Sequence, residues 1–375
     1  MNIYKNLIKP ILFKQDPEQV HDKFTKIGVY MGKFWITKKI TKIFFHYENP
    51  RLEQTYFGIH FKNPVGLSAG FDYNVQLTNI LGDVGFGFMS GGTVTFHKYK
   101  GNSKPRLKRL PKSQSLLINK GFKSAGLKKV LKDISFTKYN SAKVGISIGA
   151  TNSPYLCNPK EQVNDILKSF AYLMSHHHLD SFAYFELNIS CPNVAGSGVL
   201  TEPDILDNLL QNVREIIGDR VLFVKFQAEI DWDDARELVQ IMINHNVEAI
   251  IVANLLKNKS NYDFNKKEIS EIIDNNLMGN FSGKPVEPFA DSLISNIYKE
   301  FGTEIKIIGV GGIFSAEDAY EKIKRGASLV QLITGIVFEG PSLIGNINKK
   351  LVQLLKNDGY TNINEAIGSY YKNSV

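Results

Sequence analysis

Eight short runs rich in β-branched residues recur along the chain from about residue 60, with helical patterns between them. The strand-like runs span residues 63–69, 86–94, 143–149, 183–190, 221–227, 249–254, 305–311 and 328–334. The helical patterns include residues 161–174, 204–217, 233–245, 316–325 and 341–356. Because eight βα units close a barrel, we predict a (β/α)8 TIM barrel. Regular spacing alone does not exclude a doubly wound open sheet.

The first 48 residues differ from the rest of the chain in charge. They hold nine lysines and four acids, so they carry +5 of the net charge of +8. Their apolar residues recur at roughly helical spacing, which predicts basic amphipathic helices. Such helices can lie on an anionic membrane surface, or they can cap the main domain with their lysines in water. We predict a helical extension over residues 1–48 and a barrel over residues 49–375.

Cysteine content and hydropathy indicate the compartment. Cys157 and Cys191 are too few for a disulfide framework, which favours a reducing environment. The N-terminus lacks the apolar core and cleavage site of a signal peptide, and no apolar run reaches the length of a membrane span. We expect a cytoplasmic protein.

Polar and glycine residues cluster where the predicted strands end. In a barrel the active site lies at these carboxyl ends. The loops after strands seven and eight, with Gly311-Gly312 and Thr334-Gly335, are of the kind that binds phosphate through backbone N–H groups. Lys225 ends a buried apolar strand and needs an anionic partner, either a ligand such as a flavin or phosphate, or a carboxylate of the barrel. The pattern points to a phosphorylated cofactor or substrate.

Several blocks of this sequence resemble one family. NPVGLSAGFD, GFGFMSGGTVT followed by GNSKPRLKRLP, NISCPN, FSGKP, IIGVGG and GASLVQLITG are similar, in order and spacing, to blocks of the dihydroorotate dehydrogenases. The similarity runs from about residue 50 to 356. The stretch LIKPILFKQDPEQVHDKF resembles the N-terminal extension of the class 2 branch, which is quinone-dependent and membrane-associated.

The resemblance implies an FMN-binding barrel that oxidises dihydroorotate to orotate in de novo pyrimidine biosynthesis. Hydride passes from ring C6 to the flavin N5, a protein base takes the C5 proton, and electrons leave to a quinone. It also implies peripheral association with the cytoplasmic face of the inner membrane.

The resemblance also assigns residues to roles. Cys191 occupies the position of the base, where class 2 enzymes usually carry serine and class 1 enzymes carry cysteine. Four asparagines match the pyrimidine site, since an amide both donates and accepts hydrogen bonds: Asn119, Asn188, Asn193 and Asn254. Arg109 matches a position near the quinone head. The positions matched to the flavin are Ala69, Gly70, Thr93, Ser147, Asn188, Lys225, Gly283, Gly311, Gly312 and Thr334.

The substrate site departs from the family pattern. Tyr73 stands where a lysine pairs with the orotate carboxylate, and Leu255 stands where Thr or Ser follows the fourth asparagine. The next loop reads Gly121-Phe122-Lys123-Ser124 where GFNN is expected, and the segment just before it, INKGF, is one residue short. Either Lys120 or Lys123 from this loop can take over the carboxylate. Otherwise the substrate is a ring without it, as in dihydropyrimidine dehydrogenase, or the protein is a flavin-binding relative that has lost activity.

Two further patterns favour ordinary surface roles. The basic run 97–112 suggests RNA, as in the tRNA dihydrouridine synthases, but those enzymes add a helical domain after the barrel. We therefore expect no nucleic-acid partner. His176-His177-His178 are consecutive, so they cannot all face one ion from a helix, and we expect no metal site.

Overall fold

Eight parallel strands close into a barrel in the computed structural model, which describes residues 3–136, 142–156, 158–194 and 198–372. The strands are β1 Val65–Leu67, β2 Phe88–Val94, β3 Lys143–Ile148, β4 Tyr184–Asn188, β5 Leu222–Lys225, β6 Ala249–Val252, β7 Lys306–Val310 and β8 Leu329–Leu332. Each lies inside one of the eight predicted runs, and β8 pairs with β1 to complete the ring. The predicted barrel is confirmed, and the open sheet is excluded.

Helices cover the outside of the barrel. Those that follow β1 to β8 are Leu81–Val84, Leu127–Asp133, Pro159–Met174, Pro203–Ile217, Trp232–Asn244, Lys266–Asp274 with Glu287–Phe301, Ala316–Lys324, and Thr334–Glu339 with Leu343–Asn357. Ile363–Ala366 forms a short last helix. Their apolar faces pack on the outward residues of the strands, such as Phe185 and Leu187 of β4, and form the main core.

Aromatic side chains fill the barrel interior near the starts of the strands. Tyr184 stacks on Phe223 with ring centroids 4.5 Å apart, and Phe88 lies between Tyr184 and Phe61. Phe61 belongs to a hairpin, Gln54–Tyr56 and Ile59–Phe61, which covers this end of the barrel. A Cβ at Gly145 would lie 2.1 Å from the Tyr184 ring, so glycine makes room for it. The interior therefore opens only toward the carboxyl ends of the strands.

An antiparallel sheet of three strands lies over that end. It comprises Leu107–Leu110, Ser115–Ile118 and Asn280–Gly283, which come from the loops after β2 and β6. Sequence periodicity did not indicate this sheet, because its strands show no clear alternation of apolar and polar residues.

The N-terminal residues form helices that dock on one side of the barrel. The elements are Tyr4–Ile8, which is a π-helix, Lys9–Leu12, Pro17–Met31 and Trp35–Phe45. Asp16 caps the Pro17–Met31 helix by accepting a hydrogen bond from the Gln19 backbone N–H. Lys38 forms an ion pair of 2.6 Å with Asp83 of the barrel.

Large apolar side chains remain exposed on this N-terminal segment. Trp35, Ile43 and Phe44 each expose 70% or more of their surface. Within the described part of the chain, no helix has both the length and the apolar character that crossing a bilayer requires.

Candidate active site

A cavity of about 340 Å³ lies at the carboxyl ends of the barrel strands, under the three-stranded sheet and the N-terminal helices. Most of the residues predicted from the sequence line it: Ala69, Gly70, Tyr73, Thr93, Arg109, Asn188, Cys191, Asn193, Lys225, Asn254, Gly283, Gly311, Gly312 and Thr334. Asn119 and Ser147 do not line it, and each is instead hydrogen-bonded to residues of the site. Cys157 and residues 195–197, which follow the cysteine turn, lie outside the described residues.

Lys225 brings a buried positive charge to the floor of the cavity. It ends β5, and its Nζ donates to Ser68 Oγ at 2.8 Å. Burial lowers the pKa of this ammonium, while nearby Glu186 and Cys191 oppose that change. Lys225 forms no ion pair with any residue that the structure describes. A buried cation of this kind is stabilised when an anionic ligand occupies the space beside it.

A chain of hydrogen bonds connects the cavity with the barrel interior. Asn188 Nδ2 donates to Thr93 Oγ1 at 2.9 Å, and Thr93 Oγ1 lies 2.9 Å from Ser147 Oγ. Ser147 Oγ donates to Glu186 Oε1 at 2.9 Å. Ser147 donates its only hydroxyl proton to Glu186, so it must accept a hydrogen bond from Thr93. Every donor and acceptor in this chain is therefore assigned. The network therefore holds the Asn188 amide in one orientation.

Sequence reasoning missed Glu186, which is fully buried. Its Oε2 has no hydrogen-bond partner among the described residues. The available signal was an acidic residue two positions before Asn188 in an otherwise apolar strand. Since side chains alternate along a strand, both must point into the barrel together with Tyr184.

Cys191 lies on the turn that follows β4 and lines the cavity. Burial raises the pKa of its thiol to about 11, although the Asn193 backbone N–H and the Lys225 charge both favour the thiolate. The thiol is therefore neutral at pH 7.

The asparagines of the site fall into two hydrogen-bonded groups, an amide network of Asn102, Asn119, Asn193 and Asn280 and a separate pair of Asn188 and Asn254. Asn102 Nδ2 donates to Asn119 Oδ1 at 2.7 Å and to the Asn193 carbonyl at 3.1 Å. Asn193 Oδ1 accepts from Asn280 at 2.6 Å, and Asn254 Nδ2 donates to Ser190 Oγ at 3.0 Å. Asn102 was not predicted, since a lone asparagine in a basic loop is typical of a turn.

Glycines after β7 and β8 form a wall of the cavity. Gly311 and Gly312 follow β7 with φ of +108° and +75°, a backbone that favours glycine. A Cβ at Gly312 would also lie 2.4 Å from Glu287. The wall continues with Thr334 and Gly335 after β8. Bare backbone of this kind leaves room for a ligand to approach the N–H groups closely.

The cavity extends beneath the N-terminal helices, where its walls become more apolar. Leu12, Val20 and Phe24 line this arm together with Tyr4, His21 and Arg109. Arg109 donates to the carbonyls of Leu12 at 3.1 Å and Gln15 at 2.9 Å, and it lies 4.7 Å above the Phe13 ring. Arg109 thus lies against the N-terminal segment, and its role near a quinone head stays a prediction.

Comparison with known proteins identifies the family. The dihydroorotate dehydrogenase family model matches residues 51–355. The chain is 35% identical over 380 residues to dihydroorotate dehydrogenase (quinone) of Nostoc punctiforme, with 98% of each chain covered. The chain belongs to the dihydroorotate dehydrogenase family.

Other relatives of the same type cover the N-terminal segment as well. Dihydroorotate dehydrogenase (quinone) of Acaryochloris marina is 33% identical over 385 residues, which covers 98% of this chain and all of the relative. Among solved structures, DHODH of Eimeria tenella in complex with ferulenol matches with a TM-score of 0.80 and 25% identity, over 95% of this chain and 96% of the other. The class 2, quinone-dependent type is thus supported over nearly the full length.

The cavity brings Cys191, Tyr73 and Leu255 together with the predicted amides. The roles predicted for these residues stay predictions, and they enter the proposal below.

Proposed function

We propose that this protein oxidises dihydroorotate to orotate with FMN and passes the electrons to a quinone, in de novo pyrimidine biosynthesis. One observation carries the proposal. A thiol, a set of amides and a buried lysine line one cavity, and that cavity continues into an apolar arm under the N-terminal helices. The near full-length similarity to proteins named dihydroorotate dehydrogenase (quinone) supports the same reaction.

The residues present fit FMN. Lys225, which has no ion pair among the described residues, offers a buried cation to an anionic flavin ring, and Thr93 and Asn188 offer polar groups beside it. Gly311, Gly312 and Thr334 offer backbone for the phosphate. When bound, FMN supplies the two-electron acceptor of the reaction.

Cys191 is proposed as the base that removes the proton from C5 of the dihydropyrimidine ring. The thiolate, not the thiol, performs this step, so the group must first lose its proton. The Asn193 N–H and the Lys225 charge favour that ionised form against the effect of burial. A thiol is a stronger acid than a serine hydroxyl, which suits it to this role near neutral pH.

The amides are proposed to orient the ring. Dihydroorotate presents alternating N–H and C=O groups, which match side chains that both donate and accept. Asn193 and Asn254 line the cavity, and Asn119 supports Asn193 through Asn102. This arrangement fixes the position of ring C5 relative to the sulfur of Cys191.

The N-terminal segment is proposed as the route for quinone and as the membrane contact. Its exposed apolar residues stand beside lysines, a combination that binds anionic lipid surfaces. A quinone head entering the apolar arm meets Arg109, His21 and Tyr4. We accordingly propose a peripheral protein at the cytoplasmic face of the inner membrane, with residues 1–48 as the docking extension.

The acceptor test uses the FMN-loaded protein with dihydroorotate and one of three acceptors: a short-chain ubiquinone, fumarate or NAD+. We expect rapid turnover with the quinone alone, because the arm beneath the helices is apolar. Turnover with fumarate or NAD+ at the rate seen with quinone would refute the quinone assignment, and no orotate with any acceptor would refute the proposed reaction.

A further inference from the structure

Besides Lys225 and Arg109, the cavity is lined by Lys120, which lies next to the amide network. Lys120 lines the cavity and forms no ion pair with any residue that the structure describes. Burial lowers the pKa of its ammonium to about 8, and the neighbouring Glu18 only partly opposes this. An ammonium in this position is stabilised by an anion entering the cavity.

The local backbone directs Lys120 toward the amide network. The next two residues, Gly121 and Phe122, have φ of +59° and +60°, which makes a tight turn. A Cβ at Gly121 would lie 2.8 Å from the Asn193 carbonyl oxygen, so this turn packs directly on Asn193. The Asn102 backbone N–H donates to the Lys120 carbonyl at 3.3 Å. Lys120 is therefore anchored between two members of the amide network.

Tyr73 holds the ammonium from below. Lys120 Nζ lies 4.3 Å from the centroid of the Tyr73 ring, and His21 packs on the same ring with centroids 4.8 Å apart. A cation over an aromatic face gains electrostatic attraction without forming a hydrogen bond. All the donors of the ammonium therefore remain available to a ligand.

Lys123, the other candidate in this loop, is already paired. Its Nζ lies 2.8 Å from Glu18 Oε1 and 3.8 Å from Asp22 Oδ2. Arg106 binds the same Glu18 carboxylate through Nε and Nη2 at 2.7 to 3.1 Å. Burial disfavours the charged form of Glu18, but Arg106 and Lys123 outweigh it and lower its pKa to about 2. Recruiting Lys123 for a ligand would require breaking this cluster.

We propose that Lys120, held over the Tyr73 ring, recognises a carboxylate on the substrate ring and so selects carboxylated dihydropyrimidines over uncharged ones. This inference rests on the proposed function and specifies its substrate class. Lys120 then takes the role of the lysine that the family pattern has at the position of Tyr73. It reaches the same cavity from the neighbouring loop.

The test measures binding of orotate and of uracil, which lacks the carboxylate, to the oxidised FMN-loaded protein by isothermal titration calorimetry. Loss of one charge-assisted contact weakens binding by about tenfold to a hundredfold. We expect Lys120→Gln to weaken orotate binding about tenfold to a hundredfold and uracil binding less than threefold. Lys120→Arg should restore most of the orotate affinity.

Lys123→Gln is the matched control, because it removes one lysine from the same loop. We expect it to change the orotate Kd by less than threefold. A larger loss in Lys123→Gln than in Lys120→Gln would overturn the inference, as would an equal loss of orotate and uracil affinity in Lys120→Gln. Tyr73→Phe should bind orotate like the unmodified protein, whereas Tyr73→Leu should bind it more weakly.

A measurement on the unmodified protein avoids any loss of folding in the variants. The orotate Kd should rise as pH increases through about 8, because Lys120 then loses its charge in the free protein. An orotate Kd constant between pH 6.5 and 9 would overturn the inference. If orotate binds with the same Kd in Lys120→Gln as in the unmodified protein, the proposed function stands and only the inference fails. If dihydroorotate also fails to reduce the flavin, both fail.

Discussion

The proposed role of Cys191 as the base makes the rate of flavin reduction depend on pH. Its thiol has a pKa of about 11, so the thiolate fraction is about one in ten thousand at pH 7 and about one in a hundred at pH 9. Only the thiolate can take the C5 proton. The rate of flavin reduction at saturating dihydroorotate should therefore rise about tenfold per pH unit between pH 7 and 9.

At low substrate concentration, the proposed contact between Lys120 and the substrate carboxylate gives the opposite pH dependence. The free protein loses its Lys120 charge above pH 8, so binding weakens as the thiolate fraction rises. A bound carboxylate would raise the Lys120 pKa again. At saturating dihydroorotate, this loss of binding with increasing pH therefore disappears. We expect kcat/KM to flatten above about pH 8, while the rate at saturation continues to rise.

Anaerobic stopped-flow absorbance at the flavin band measures these two pH dependences separately, because the flavin is not reoxidised by quinone. Dihydroorotate is varied at each pH from 6.5 to 9.5. A saturating rate that is constant across this range would refute the assignment of a buried thiol as the rate-determining base. A plateau in the saturating rate at pH 8 would place the pKa of the base far below that expected from its burial.

Three further outcomes test separate parts of the structure. Glu18→Gln should remove at most about 3 kcal/mol from the free energy of unfolding at pH 7. That loss should vanish as pH falls from 4.5 to 2, because the folded pKa of Glu18 is about 2. Equal urea midpoints for the variant and the unmodified protein at pH 7 would contradict this. Gly312→Ala should lower the FMN content of the purified protein, because the new Cβ meets Glu287 and the positive φ is strained; full flavin occupancy would refute this. Replacing Trp35, Ile43 and Phe44 by Asp should abolish sedimentation with anionic vesicles without changing flavin reduction, and unchanged sedimentation would exclude this face as the docking surface.

The barrel was predictable because its signal is local and repeated. Each strand is a short apolar run, and the eight runs recur with helical patterns between them. The sheet over the barrel mouth could not be predicted in the same way. Asn280–Gly283 pairs with Ser115–Ile118 across more than 160 residues of sequence, and the four residues of each strand show no clear alternation.

Most of the candidate site was predictable from position and resemblance, since its residues end the barrel strands. The choice between Lys120 and Lys123 was not, because it depends on Glu18 from the N-terminal helix reaching Lys123. Glu186 was missed because its importance comes from a hydrogen bond to Ser147 on the neighbouring strand. Such relations depend on three-dimensional neighbours rather than on spacing along the chain.

The most direct test of the central claim is anaerobic reduction of the bound flavin by dihydroorotate in the unmodified protein and in Cys191→Ala. We expect the flavin of the unmodified protein to bleach, and the variant to retain its flavin but remain oxidised, because no other thiolate or carboxylate lines the described cavity to take the C5 proton. Failure of dihydroorotate to bleach the unmodified protein, or bleaching of the variant at the normal rate, would contradict the account.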